Sequence, residues 1–225
     1  MFSYYGAKTK IVKWYPEPKY ATIIEPFAGA ARYSLYHSEK NPNKYRVILV
    51  EANPKIAGIW QWLKNAKPDD LRQLPIVKAG EPIPDVSPIE ARWFIGLCFN
   101  QGSHSPKNFA GRMNFCKLPG NNWESFIKRL PIIQKWEIHN GDYSSAPDIQ
   151  ATWYVDPPYS QQKLYPFGQD LDYTKLGDWC KSRKGQVIVA ENDNATWLPF
   201  QTLGMTAGQR KGSKLLNEGI CIFDN

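Results

Sequence analysis

Histidine is scarce in this chain, three in 225 residues, and the three stand far apart at His37, His104 and His139. The four cysteines, at positions 98, 116, 180 and 221, include no Cys-x-x-Cys pair. These absences leave neither a zinc-ligand pattern nor a disulfide framework. No apolar run approaches the length of a bilayer span, and the amino-terminal MFSYYGAKTK lacks an apolar h-region, so a cytoplasmic protein with reduced thiols is expected. There is no Gly-x-Gly-x-x-Gly, which disfavours an NAD-binding dehydrogenase, and no internal repeat or low-complexity tract. Acids are outnumbered: 21 Asp and Glu face 28 Lys and Arg, a net charge of +7. The excess favours a polyanionic partner or an anionic substrate.

What is present fits a soluble globular chain, 42% hydrophobic and 22% charged, long enough for one good-sized domain or one domain with an insertion. The segment YATIIEPFAGAARYSLYHSE predicts a strand through Thr22 to Ile24, a small-residue turn from Pro26 to Gly29, and a helix from about Ala30. A second such unit follows, with a strand from Arg46 to Val50 ending in Glu51 and a helix beginning near Asn53 or Pro54. Two β-α units in succession argue for an α/β fold with a parallel sheet. From about 65 to 135 the chain turns proline-rich and the alternation breaks, apart from a helix in SPIEARWFIGLCFNQ. Strand rhythm returns at Trp136 to Ile138, then in the strand before Asp156, in QVIVAEN and in a closing extended pair, with a helix around Tyr173 to Lys184. Residues 1–64 and 136–225 therefore form one predicted domain, and residues 65–135 an insertion in it.

Charge is concentrated in that insertion. Between His104 and Lys135 lie six basic residues, Lys107, Arg112, Lys117, Lys128, Arg129 and Lys135, against the single acid Glu124. Phe109, Phe115, Trp123 and Phe126 interleave with them. Such a segment tracks phosphates and stacks or wedges against bases; equally, it forms a solvated face whose aromatics belong to a core. Lys211 and Lys214, near the carboxyl end, are a second candidate phosphate contact, with an exposed turn as the alternative.

Four predicted strand ends carry acids or small turns: EPFAG at 25–29, EAN at 51–53, Gly141-Asp142, and DPPY at 156–159. Ligands of open parallel sheets bind at the carboxyl ends of the strands, so these residues converge on one crevice. Gly29 allows a ligand close to the backbone at a helix amino terminus, and Glu51, 22 residues further on, stands where nucleotide-binding folds hold ribose hydroxyls. In DPPY, Pro157 and Pro158 lack a backbone donor and fix their φ angles, so they end the strand and stiffen the loop. Methyl transfer to a base amine, which a family resemblance carried by these motifs implies, is chemistry that such a loop can serve. That amine is a poor nucleophile because its lone pair is delocalised; the Asp156 carboxylate and the Pro157 carbonyl accept its two N–H groups from preorganised positions. Tyr159 stacks on a base flipped from the duplex, and no metal or covalent nucleophile is required.

The order SYYGAK, EPFAGA, EAN, insertion, GDY, DPPY resembles the adenine-specific DNA methyltransferases of the Dam-like class, over nearly the whole chain from Tyr4 to NEGICIFDN. The resemblance implies a Rossmann-like methyltransferase sheet, mostly parallel with an antiparallel closing strand, and S-adenosylmethionine as cofactor. It implies adenine in duplex DNA, methylated on the exocyclic amine, as product, with the insertion as target-recognition region. It places Tyr4 and Lys8 near the cofactor's amino-acid moiety and Glu25, Pro26, Phe27 and Gly29 in the cofactor turn. Glu51 then holds the ribose hydroxyls, Asp142 lies near the cofactor's adenine, and Asp156, Pro157, Pro158 and Tyr159 form the catalytic loop, with Asp156 also touching the cofactor. Lys107, Arg112 and Lys117 become the expected DNA contacts. The chain has Ala30-Ala31-Arg32 where the family usually continues with glycine. Two other readings stay open, an RNA base-amine methyltransferase and a non-catalytic DNA-binding module of the same fold.

Overall fold

A computed structural model describes Phe2 and residues 4–100, 102–111, 123–160, 170–206 and 217–225. Its four central strands arise where apolar runs are long enough to be covered on both sides. Strand β1 (Thr22–Glu25) and β2 (Arg46–Glu51) are followed by helices α1 (Arg32–Lys40) and α2 (Pro54–Asn65). Helix α2 starts as its sequence requires: the Asn53 side chain accepts the Lys55 N–H at 3.0 Å and Pro54 occupies the first turn. It buries Ile56, Ile59, Trp60 and Leu63, one face at helical spacing.

Between α2 and the next strand come α3 (Pro68–Arg72), α4 (Ile89–Cys98), α5 (Glu124–Ile127) and α6 (Leu130–Ile133). The chain then enters β3 (Glu137–Asn140), β4 (Ala151–Val155), α7 (Tyr173–Lys181), β5 (Gly185–Asn192), β6 (Gln201–Thr206) and β7 (Asn217–Asp224). Helix α1 begins two residues later than the sequence suggests because Ala31 adopts a left-handed conformation, φ 45°. Helix α7 stops at Lys181 rather than Lys184.

The seven strands form one sheet in the order β3-β2-β1-β4-β5-β7-β6. The first five are parallel; β7 runs antiparallel to β5, from Gln186 opposite Asp224 to Asn192 opposite Glu218, and β6 runs antiparallel to β7. This is the mostly parallel α/β sheet with a reversed closing strand that the sequence led us to expect.

Alternation along the strands divides the core. Ile23, Val47, Leu49, Tyr154 and Ile188 face one side; Ile24, Ile48, Val50, Trp153 and Val187 face the other, where Leu176 and Cys180 of α7 cover them. Helices α1 and α2 cover the first side. The buried apolar residues of α3 to α6, among them Leu71, Phe94, Phe126 and Ile133, belong to that same cluster. Trp123 and Phe126, interleaved with the basic residues, are therefore core, and the Trp123 indole donates to the Leu74 carbonyl at 2.9 Å. Phe109 differs, being 61% exposed, while Phe115 lies outside the described residues. Among the described residues no helix is long and apolar enough to cross a membrane.

Candidate active site

Strands β1 and β4 are neighbours, and the chain leaves them toward opposite edges of the sheet. Their carboxyl ends thus border the crevice where such sheets bind ligands. A cleft of about 140 Å³ opens there, lined by Tyr4, Lys8, Glu25, Pro26, Phe27, Gly29, Glu51, Asp142, Asp156 and Pro158 among others. Ten of the twelve residues expected to bind the cofactor or form the catalytic loop line this one cleft. Pro157 is buried, and neither it nor Tyr159 lines the cleft.

The turn after β1 forms one side. Gly29 has φ +45°, and a methyl group added to it would meet the Tyr4 ring at 3.1 Å, so the ring lies directly on the glycine. The turn is fixed on three sides: Ala28 N–H donates to the Val50 carbonyl at 3.0 Å, the Trp60 indole to the Gly29 carbonyl at 2.8 Å, and Gly29 N–H to Glu51 Oε2 at 2.8 Å. Glu51 Oε1 accepts the Asn53 N–H, also at 2.8 Å. Burial raises the Glu51 pKa and these two N–H groups hold it back. Each carboxylate oxygen has a second lone pair, so Glu51 retains capacity for a ligand's hydroxyls.

Glu25, buried at the end of β1, accepts the Ser34 N–H at 2.7 Å. It thereby serves one of the free N–H groups in the first turn of α1, which has no side-chain cap of its own. Burial outweighs this bond, and the Glu25 pKa is pushed up to about 8. On the floor beyond, Phe27 stacks on Tyr143 with centroids 5.4 Å apart, beside exposed Asp142, whose side chain accepts the Ser144 N–H at 2.9 Å.

The DPPY loop forms the other side and is fastened at consecutive residues. Tyr173 of α7 donates to the Pro158 carbonyl at 2.6 Å. The Tyr159 hydroxyl donates to Glu218 Oε1 at 2.6 Å. The Ser160 N–H and hydroxyl both donate to Glu191 Oε1 at 2.7 Å. Lys8 connects loop and amino terminus: its buried ammonium lies 3.0 Å from Asp156 Oδ1 and 3.4 Å from Glu218 Oε1, donates to the Tyr159 hydroxyl at 2.5 Å, and stands 4.5 Å from the centre of that ring. Burial pulls the Lys8 pKa down, but the two carboxylates outweigh it and leave it above the ordinary value. Asp156 is raised to about 6, by burial first, with Lys8 opposing and Glu218 adding to the rise.

Lys8, expected near a cofactor's amino-acid end, thus lines the same cleft but is paired with Asp156. Glu191, Glu218 and Tyr15, whose hydroxyl donates to Glu218, were not singled out in the sequence. Of the expected DNA contacts, Lys107 is exposed on a loop whose backbone is seated on α4, so close that a methyl added to Gly96 would lie 2.5 Å from the Lys107 carbonyl. That loop reaches the cleft wall through Tyr5, whose N–H donates to the Ser103 carbonyl at 3.2 Å and whose ring lies 4.3 Å from His104. Arg112, Lys117, Lys211 and Lys214 lie outside the described residues.

No protein-family model matches the chain, and no curated protein matches it. Among solved structures it is similar to a SAM-dependent methyltransferase from Neisseria gonorrhoeae, at 14% identity and a TM-score of 0.40, over 96% of this chain. The chain spans 65% of the length of that structure.

Proposed function

We propose that this protein transfers a methyl group from S-adenosylmethionine to the exocyclic amine of adenine in duplex DNA. The observation that carries the reading is the loop from Asp156 to Ser160, held at Pro158, Tyr159 and Ser160 by three separate elements, whose Asp156 and Pro158 line one cleft with the Gly29 turn and Glu51. A loop that only ended a strand would need none of these fastenings.

The donor set fits the cofactor. Glu51 has acceptor capacity for a ribose diol, and the stacked Phe27 and Tyr143 offer aromatic surface beside Asp142 for a purine. When bound, S-adenosylmethionine supplies an electrophilic methyl group on a sulfonium centre. The protein's own part is positional and electrostatic. With a pKa near 6, Asp156 is mostly ionised at pH 7.5, so its carboxylate accepts one amine N–H and draws electron density onto the nitrogen. The Pro157 carbonyl, fixed by the following proline, accepts the other. The proton shed by the methylated amine passes to the Asp156 carboxylate or to water. Tyr159 presents its ring to the extruded base, offsetting part of an unstacking cost of about a few kcal/mol. The basic loop around Lys107 serves the DNA backbone.

The test is transfer of labelled methyl to duplex DNA, digestion to nucleosides, and Asp156→Ala as control. Label in methyladenine that falls about 10²- to 10³-fold in the control is expected, the usual scale for removing one preorganised polar group. Cofactor binding without label in DNA overturns the reading; label on base amines of RNA moves the substrate to RNA.

A further inference from the structure

Lys8 sits between two carboxylates, and the nearer is the group proposed to act on the substrate. While the ammonium holds Asp156 Oδ1, that oxygen is a weakened acceptor for an amine. Yet a buried lysine stripped of its counter-charge is strongly destabilised. We propose that Glu218 is a positioning residue, the second seat of the Lys8 ammonium, which takes the lysine when Asp156 turns to substrate and which holds the Tyr159 ring in place meanwhile. This rests on the methyltransfer reading above.

The geometry is already prepared. Glu218 is 3% exposed and fixed in the ladder opposite Asn192 of β5. The hydroxyls of Tyr15 and Tyr159 both donate to its Oε1. Its ion pair among the described residues is with Lys8, whose ammonium stands 3.4 Å from Oε1; two hydroxyls already fill that oxygen, so the ammonium's closer seat is on the other oxygen of the carboxylate, where the pair becomes a charge-assisted hydrogen bond. Lys8 stays on the Tyr159 hydroxyl in either seat, so the move needs no new partner. The ionisable groups facing Asp156 come from every neighbouring element: Lys8 from the amino-terminal segment, Glu25 from β1, Glu191 from β5, Glu218 from β7, and the phenols of Tyr15, Tyr154 and Tyr159.

The experiment compares the wild type with Glu218→Gln, which keeps an acceptor for both tyrosines and removes the charge. Two quantities are read: the kcat–pH profile on adenine-containing duplex, and the titration of the Asp156 carboxyl by ¹³C NMR in the protein alone, assigned with Asp156→Asn. Without its second seat Lys8 stays on Asp156, so the plateau kcat is expected to fall at least about tenfold. Asp156 loses a neighbouring negative charge, so the acid limb and the carboxyl titration are both expected to move about one pH unit lower. A purely structural role lowers kcat and the melting temperature but moves neither titration, and that result overturns the proposal. So does a titration that moves with no loss of rate. If the wild type does not methylate adenine, the functional reading falls, and the carboxyl titration alone decides the placement of Glu218. Should Glu218→Gln not fold, Lys8→Met replaces it: the Asp156 carboxyl then titrates higher than in the wild type, and an unchanged value refutes the coupling.

Discussion

Replacing Glu25 with Gln should flatten the pH dependence of folding stability on the alkaline side. The carboxyl is buried under the first turn of the cleft, and burial, only partly offset by the Ser34 N–H, raises its pKa from 4.5 to about 8. A raised acid binds its proton more tightly folded than unfolded. Its contribution is therefore complete below pH 4.5 and is lost as pH rises through 8. The loss runs at about 1.4 kcal/mol per pH unit, hence about 2.7 kcal/mol between pH 5.5 and 7.5. Glutamine resembles the protonated acid and still accepts the Ser34 N–H, but has no proton to lose. Urea unfolding of both proteins at half-unit steps from pH 5.5 to 8.5 gives the difference in stability, in which titrating groups not coupled to Glu25 cancel. It should grow steadily in favour of the variant, which near neutral pH corresponds to a melting-temperature gap of about 5–11 °C in a chain of this size. Parallel curves would show that Glu25 is not held as a neutral acid, and the account of the turn would fail with it.

Gly29→Ala puts a methyl group at φ +45°, 3.1 Å from the Tyr4 ring; a stability loss of about 1–2 kcal/mol and at least tenfold weaker S-adenosylmethionine binding by calorimetry are expected, and unchanged affinity would remove the turn from the cofactor site. Phe109→Ala, at an exposed aromatic, should alter stability by no more than about 0.5 kcal/mol yet weaken duplex binding, whereas Lys107→Gln should lower the slope of log affinity against log salt by about one; if both leave DNA binding untouched, the loop is not the contact. His37 is buried, with neither ring nitrogen hydrogen-bonded among the described residues, and burial lowers its pKa to about 4. Its neutral form stabilises the fold above pH 6.5, a contribution lost as pH falls toward 4, so His37→Phe should lose less stability than the wild type over that range of acid unfolding.

The sheet was legible because its strands announce themselves in two ways. Val47 to Val50 and Trp153 to Val155 are uninterrupted apolar runs, the pattern of strands buried on both faces, and each is followed by residues that cannot extend it: Asn53-Pro54 after β2, Pro157-Pro158 after β4. The cleft was legible for the same reason, since the turn at Gly29 and the acids Glu51 and Asp156 fall just where parallel strands end. The segment from about 65 to 135 was less legible. Its basic residues and aromatics alternate in sequence, and only the fold separates them, sending Trp123 and Phe126 into the core beneath α4 and leaving Phe109 in solvent.

Glu218 escaped the same logic because β7 is reversed. A search for acids at the carboxyl ends of strands looks at the wrong end of an antiparallel neighbour, whose first residues lie beside the last residues of β5. The pairing of Asn192 with Glu218 brings the start of β7 to the edge that already carries Asp156 and Glu191. No period or propensity in NEGICIFDN marks its Glu as different from a solvated strand end; only pairing with β5 does. The reversal has a chemical consequence. A wholly parallel sheet would present Asp156 and Glu191 at this edge and draw no charge from a sixth strand's start. Turning β7 around adds a carboxylate held from behind by Tyr15, close enough to share Lys8 with Asp156. The ammonium is thereby satisfied twice, so that neutralising one carboxylate, or engaging it with a substrate, leaves the buried cation paired.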